Sequence, residues 1–285
     1  MRSKGDPRIR EEMNKIKDWL SKEYPVTIAT HQKVDADAAF SAALLQILRP
    51  QAGLKFVRAD AEITDESCLA VDLCEGPRAV KGLEEGSAFG LIIITMKEID
   101  RPVYKALRRW GNQLNLTDSG KNCNDSVVLA ELVTCWRSLK FDDAKIVSRA
   151  EELIQGKIRS EKRNQELWIS AKSISIDNGI AVVPEEIHVR ASHLFKRGAL
   201  VVIRQSKSGQ SVNISKQLQK NDILLTELSN ALPEEWFVHP QGFMACFGSV
   251  KAPKDYKESG LKLEELVIVV KTWIKSQNEI LSSEV

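Results

Sequence analysis

The sequence predicts an α/β protein: an N-terminal domain with a parallel sheet flanked by helices, followed by a smaller α+β domain. Two observations predict it. Between residues 25 and 156, short apolar runs alternate with helical patterns, which is how a parallel sheet with crossover helices reads. Beyond a polar stretch at 157–166 the order changes, with several β-like runs coming first and helices after them. The expected domains are therefore 1–156 and 167–285, with 157–166 as a linker.

Residues 9–23 carry Ile9, Met13, Ile16 and Leu20 at helical spacing, so an amphipathic helix opens the chain. Pro25 starts a new element. Val26–Thr30 is a short apolar run ending in a polar residue, as in a buried parallel strand. Ala38–Leu48 is rich in Ala and Leu and stops before Pro50, which predicts a helix. Leu54–Arg58 and Cys68–Leu73 read as further strands, and Ser87–Met96 as either helix or strand. Asp125–Leu139 and Asp142–Gln155 read as helices, the second capped by Asp142 and ended by Gly156. In the second half, β-like runs fall at Leu167–Ile176, Ile180–Val183, Ala199–Arg204 and Ser211–Ile214, and helices at Gln217–Ala231 and Leu263–Ser276.

Composition narrows the class. The 285 residues are 43% hydrophobic and 28% charged, the balance of a globular chain rather than a disordered one. Apolar runs such as Leu91–Met96 fall far short of the about 20 residues a membrane span needs. The charged start MRSKGDPRIREE lacks the apolar segment of a signal peptide, so a cytoplasmic protein is expected, with no membrane partner. The five cysteines contain no CxxC pair, which argues against a zinc ribbon or a disulfide framework. A net charge of +2 is not the footprint of a protein gripping a long nucleic acid through many phosphates.

The chemistry concentrates in Thr30-His31-Gln32-Lys33-Val34-Asp35-Ala36-Asp37-Ala38, which sets one imidazole and two carboxylates between a strand and a helix. Ligands of open α/β sheets gather at the carboxyl ends of the strands. Three such groups crowded together are easiest to accommodate around a cation, and imidazole with carboxylates suits Mn²⁺ or Mg²⁺. Asp35 and Asp37, two apart in a loop, would face neighbouring ions. Asp72 ends the apolar run Cys68–Val71 and would reach the same sheet edge. The loop alone also has a structural reading, with Asp37 capping the next helix and His31 making a local hydrogen bond.

The pattern His31-x-x-x-Asp35-x-Asp37-Ala38-x-x-Ser41 resembles the first motif of the DHH phosphoesterases, and Val71-Asp72 resembles the second. Phe237-Val238-His239-Pro240-Gln241-Gly242-Phe243 is similar to the Gly-rich histidine motif of the DHHA1 domain, and Val212–Lys216 to the strand before it. The resemblance covers roughly 25–250. It implies a DHH-like domain holding divalent metal, Mn²⁺ or Mg²⁺, through His31, Asp35, Asp37 and Asp72, with Asp118 of Thr117-Asp118-Ser119-Gly120 the best candidate for a fourth acidic motif. It also implies a DHHA1-like domain in which His239 and Gly242 contact substrate. Lys81 and Lys216 are candidates for holding its phosphates, Arg204 and Lys207 are weaker ones, and Phe243 is a weak candidate for stacking on a base.

The Asp-His-His that gives the family its name is absent, and no histidine lies between His31 and His188. Glu75, Glu84 or Glu85 are candidate replacement carboxylates, and Gly86–Gly90 a candidate source of backbone amides for a phosphate. The expected activity is metal-dependent hydrolysis of a phosphodiester or phosphoanhydride in a nucleotide or short oligonucleotide. The alternative is a catalytically degenerate nucleotide-binding or regulatory protein. A homodimer is left open.

Overall fold

The computed structural model describes residues 6–73, 78–82, 86–123, 125, 128–207, 209–248 and 261–283. The chain separates into two compact units between Lys162 and Arg163.

The first unit is built on a four-stranded, fully parallel sheet, β1 Thr27–His31, β2 Gly53–Val57, β3 Cys68–Val71 and β4 Ala79–Val80, in the order β2-β1-β3-β4. The helices are α1 Pro7–Ser21, α2 Ala36–Leu48, α3 Ala88–Ile99, α4 Arg101–Asp118 and α5 Leu129–Ser138. The helix α2 is apolar all round and buried from Ala36 to Leu45, as a helix enclosed on every side must be. Its Phe40 meets Phe89 and Trp110 edge to face at 6.0 and 5.9 Å. Against this core packs one face of the sheet, with Ile28, Leu69, Val71 and Val80. The other face is lined by the smaller Ala29, Cys68, Ala70 and Ala79, with Leu73, Val57 and Ile63.

One expectation left open is resolved and two are corrected. Ser87–Met96 is helical, because Ser87 accepts a hydrogen bond from Gly90 N at 3.0 Å and starts α3. The helix α4 has no counterpart among the expected elements. Asp100 ends α3 and also caps α4 by accepting from Val103 N, so two helices meet without a turn signature between them. The helix expected from Asp125 begins only at Leu129.

Next, α6 Asp143–Ser173 runs unbroken for 31 residues. The stretch 157–166, expected as a linker, is helical and contains the division between the two units, and Leu167–Ser173, read as β-like, continues the helix instead. Its Lys, Arg, Glu and Gln are good helix formers, and a single interior glycine, Gly156, costs only about 1 kcal/mol against alanine.

The second unit is a six-stranded sheet, β5 Ile176–Asp177, β6 Ile180–Val183, β7 Val201–Ser206, β8 Gly209–Ile214, β9 Phe237–Val238 and β10 Met244–Phe247, in the order β5-β6-β7-β8-β10-β9. All neighbours are antiparallel except β6 and β7. Helices α7 Ala191–Phe195, α8 Lys216–Lys220 and α9 Leu263–Ser283 complete it. Where a longer helix over Gln217–Ala231 was expected, α8 stops at Lys220 and a separate 3-10 turn forms at Glu227–Ala231. No described helix is long and apolar enough to cross a membrane.

Candidate metal centre

Register brings the site together. Ala29 pairs with Ala70, so His31 and Asp72, each two residues further on, stand level at the carboxyl edge of adjacent strands. From β1 the chain passes through α2 to β2 on one side and then crosses to β3 on the other. The crevice between β1 and β3 is therefore a topological switch point, where open α/β sheets hold their ligands.

Each ligand has a local reason for its position. Asp72 takes a left-handed φ of 51°, which Asp tolerates better than most residues, while its amide donates to Val80 O at 3.0 Å. His31 Nδ1 lies 2.9 Å from Gln32 O, which places the proton on Nδ1 and turns Nε2 toward the carboxylates. Nε2 is then 3.2 Å from Asp72 Oδ2 and 3.9 Å from Asp35 Oδ1. Asp35 caps α2 by accepting from Ala38 N at 3.0 Å. The ligand atoms of His31, Asp35 and Asp72 all lie within 4.8 Å of one another.

Two acceptors, a lone-pair nitrogen and a carboxylate oxygen, face each other here, and such an arrangement needs a proton or a cation between them. The electrostatics agree. The His31 imidazole is pushed up to about 9, first by its hydrogen bond to Asp72, against the opposing effect of burial, and further by the Gln32 carbonyl and the Asp35 and Asp72 charges. Asp35 is pushed upward by desolvation and then by the Asp72 charge, although at 59% side-chain exposure water screens much of this. One imidazole with hard carboxylate oxygens fits Mn²⁺ or Mg²⁺.

The other expected ligands are placed differently. Asp37 is 3% exposed, and its carboxylate accepts from Ala88 N at 2.7 Å and Phe89 N at 2.8 Å, at the N-terminus of α3. It fills the anion site that a helix N-terminus provides. Of the Gly86–Gly90 amides expected to cradle a phosphate, those of Ala88 and Phe89 are consequently taken by Asp37, that of Gly90 by Ser87 Oγ and that of Ser87 by Asn115 Oδ1. Burial, then the Asp72 charge, pushes Asp37 well upward, and the two amides oppose them. Asp118 is the last residue of α4. Desolvation and then the Asp72 and Asp35 charges raise it, and Lys81 lowers it, so Asp118 and Lys81 border the same field. Lys81 follows β4 and is exposed. Among the described residues, Asp37 and Asp118 do not join the set of ligand atoms formed by His31, Asp35 and Asp72. Glu75, Glu84 and Glu85 lie outside the described residues.

In the second unit, His239 Nδ1 accepts from Gln241 N at 3.1 Å, and its ring lies 4.1 Å from that of Phe243. The proton is then on Nε2, available as a donor. Gly242 has a φ of +65°, and a Cβ there would meet Leu224 Cβ at 2.6 Å, so both backbone conformation and space favour glycine at this turn. Lys216 is exposed at the start of α8. Arg204, half-buried in β7, is lowered by desolvation. Phe243 packs against the core of this unit.

Two residues at the site escape the sequence reading. Asp143 Oδ2 accepts from Lys33 N at 2.8 Å and its Oδ1 from Val34 N at 3.0 Å, and Arg137 contacts both Val34 O and Asp143. Partners 103 to 110 residues apart leave no sequence signal. The motif loop also forms one wall of a cavity of about 430 Å³ that reaches α5.

No protein-family model matches the chain, and no curated protein does. Among solved structures, RecJ of Thermus thermophilus in complex with Mg²⁺ is similar at 15% identity and a TM-score of 0.30, over 94% of this chain and 52% of that one. The chain thus spans about half the length of that structure. A pGpG-specific phosphodiesterase from Vibrio cholerae shares 13% identity at a TM-score of 0.32, over 90% and 99% of the two chains. The DHH domain of a member of a ribosomal-protein family shares 10% at 0.31, over 96% and 92%. With TM-scores near 0.3 these likenesses assign no residue a role, and the roles proposed below come from the geometry of the β1–β3 edge.

Proposed function

We propose that this chain is a divalent-metal-dependent phosphoesterase acting on a nucleotide or short oligonucleotide, of the DHH type that its motifs resemble. The observation that carries the reading is the convergence of His31 Nε2, Asp35 and Asp72 at the β1–β3 switch point, with His31 held by Gln32 O. These three residues would hold one ion, Mn²⁺ or Mg²⁺. Bound there, the ion supplies a water of lowered pKa and a positive charge for phosphoryl oxygens. Asp37 fixes the start of α3 beside the site, and Asp118 and Lys81 border it; on the DHHA1 resemblance alone, His239 and Lys216 of the second unit would also contact the ligand. The near-neutral net charge favours a small ligand over a long strand. The protein would act in the cytoplasm, with no membrane partner. A homodimer is compatible with this reading.

A second reading is favoured by one observation. Both Asp37 oxygens are occupied by α3, and the set of close ligand atoms among the described residues holds three residues only. A second ion would therefore be weak or supplied with substrate, as suits a nucleotide-binding protein that has lost turnover.

A screen of cyclic dinucleotides, linear dinucleotides and nucleotide phosphates with Mn²⁺ separates the two. Hydrolysis that falls by at least the roughly 10–100-fold typical of lost metal-site partners in Asp72→Ala supports the first. Tight nucleotide binding without turnover supports the second, and neither binding nor turnover contradicts both.

A further inference from the structure

We propose that Asp143, with Arg137, is a positioning residue for the metal centre: it sets the loop that joins His31 to Asp35 and so determines how tightly the ion is held. The inference rests on the metal-site reading above. Loop 32–35 has to turn from the end of β1 into the start of α2 while aiming His31 and Asp35 at one point. Lys33 does so with a left-handed φ of 56°, which a lysine adopts only where its surroundings impose it.

Those surroundings are a clamp made by two side chains. One carboxylate receives both successive amides, Lys33 N and Val34 N, at 2.8 and 3.0 Å, and Arg137 holds the Val34 carbonyl while contacting the same carboxylate at 3.4 Å. The Val34 side chain beyond is fully buried in the core of the unit. The Gln32 amide donates to Val57 O at 2.8 Å and Asp35 caps α2, so every residue of the loop is tied down. Asp143 is not needed to start its own helix, since Asp142 already accepts from Lys145 N at 2.7 Å. Its side chain is 20% exposed and is turned away from α6 toward a segment 110 residues earlier.

If Asp143 served stability alone, its loss would lower melting temperature and leave ion affinity alone. If it positions the loop, affinity should fall even where the fold survives. Outer partners of metal ligands typically contribute 10–100-fold in affinity, and the Asp143→Ala variant is expected to weaken Mn²⁺ by at least about tenfold. Arg137→Met should weaken it in the same direction by less, and it carries the test if Asp143→Ala does not fold. The control is Arg49→Met, which removes a comparable clamp on Leu20 O and Lys22 O at the far side of the same unit. It should lower melting temperature without changing Mn²⁺ affinity.

The experiment is isothermal titration of Mn²⁺ into the full chain and these variants, each well below its melting temperature. Weakened binding in Asp143→Ala or Arg137→Met, against unchanged binding in Arg49→Met, is the expected result. Wild-type affinity in the folded clamp variants overturns the clamp and leaves the metal site standing. Absence of Mn²⁺ binding in the wild type overturns both.

Discussion

At the scale of single residues, the carboxylates of the motif divide their labour. Asp35 and Asp72 face His31, while Asp37 faces the backbone of α3. Removing Asp37 leaves two buried amides without an acceptor, which at about 1–3 kcal/mol for each costs about 2–6 kcal/mol in all. Asp37→Ala should therefore be less stable by that amount in urea unfolding with a chelator present. Unchanged or greater stability would mean that Asp37 is chiefly a metal ligand, whose removal relieves repulsion.

His31 gives a pH dependence with a definite sign. Its folded-state value, about 9, lies above the ordinary 6.5. The stability it contributes is therefore complete below pH 6.5 and lost as pH rises through about 9, and it amounts to at most about 3 kcal/mol. Metal-free protein should lose stability over that window, and His31→Gln should flatten the slope. With Mn²⁺ in place of the proton, binding at about pH 7.5, between those two values, should release close to one proton, measurable by titration in buffers of different ionisation enthalpy. Release of none would place the ion elsewhere. His31, Asp35 and Asp72 are legible in the sequence because motif spacing and a strand-end position both survive folding. The role of Asp37 is half legible: a helix cap is foreseen, but the helix it serves lies 51 residues away and not next to it.

At the scale of elements, periodicity finds those whose pattern is local and fails where tertiary contacts decide. The β1–α2–β2 unit is legible because its runs are apolar and bounded by Pro25 and Pro50. The boundary between α3 and α4 is not, because one residue, Asp100, serves both ends. The helix α6 reads as stopping at Gly156 because glycine so often ends a helix. In fact Gly156 lies in the interior of α6, and a Cβ there would meet nothing within 4 Å. Gly156→Ala should therefore raise stability by about 0.5–1 kcal/mol. A loss of stability would show that residue 156 adopts a conformation alanine cannot, as at a helix end.

At the scale of the whole molecule, two units of different construction follow one another. The parallel sheet of the first offers a switch point, and the largely antiparallel sheet of the second offers an edge turn bearing His239. The division of labour proposed for them predicts that His239→Ala weakens nucleotide binding and leaves Mn²⁺ affinity unchanged. Unaltered nucleotide affinity in a well-folded variant would remove the second unit from the reaction. The central claim is that one ion sits between β1 and β3 with His31 Nε2 on it. It is tested most directly by the electron spin echo of Mn²⁺ bound to the intact protein. The account predicts stoichiometric Mn²⁺ with one imidazole nitrogen coupling that disappears in folded His31→Ala. A coupling that persists in that variant, or no stoichiometric Mn²⁺ in the wild type, would contradict it.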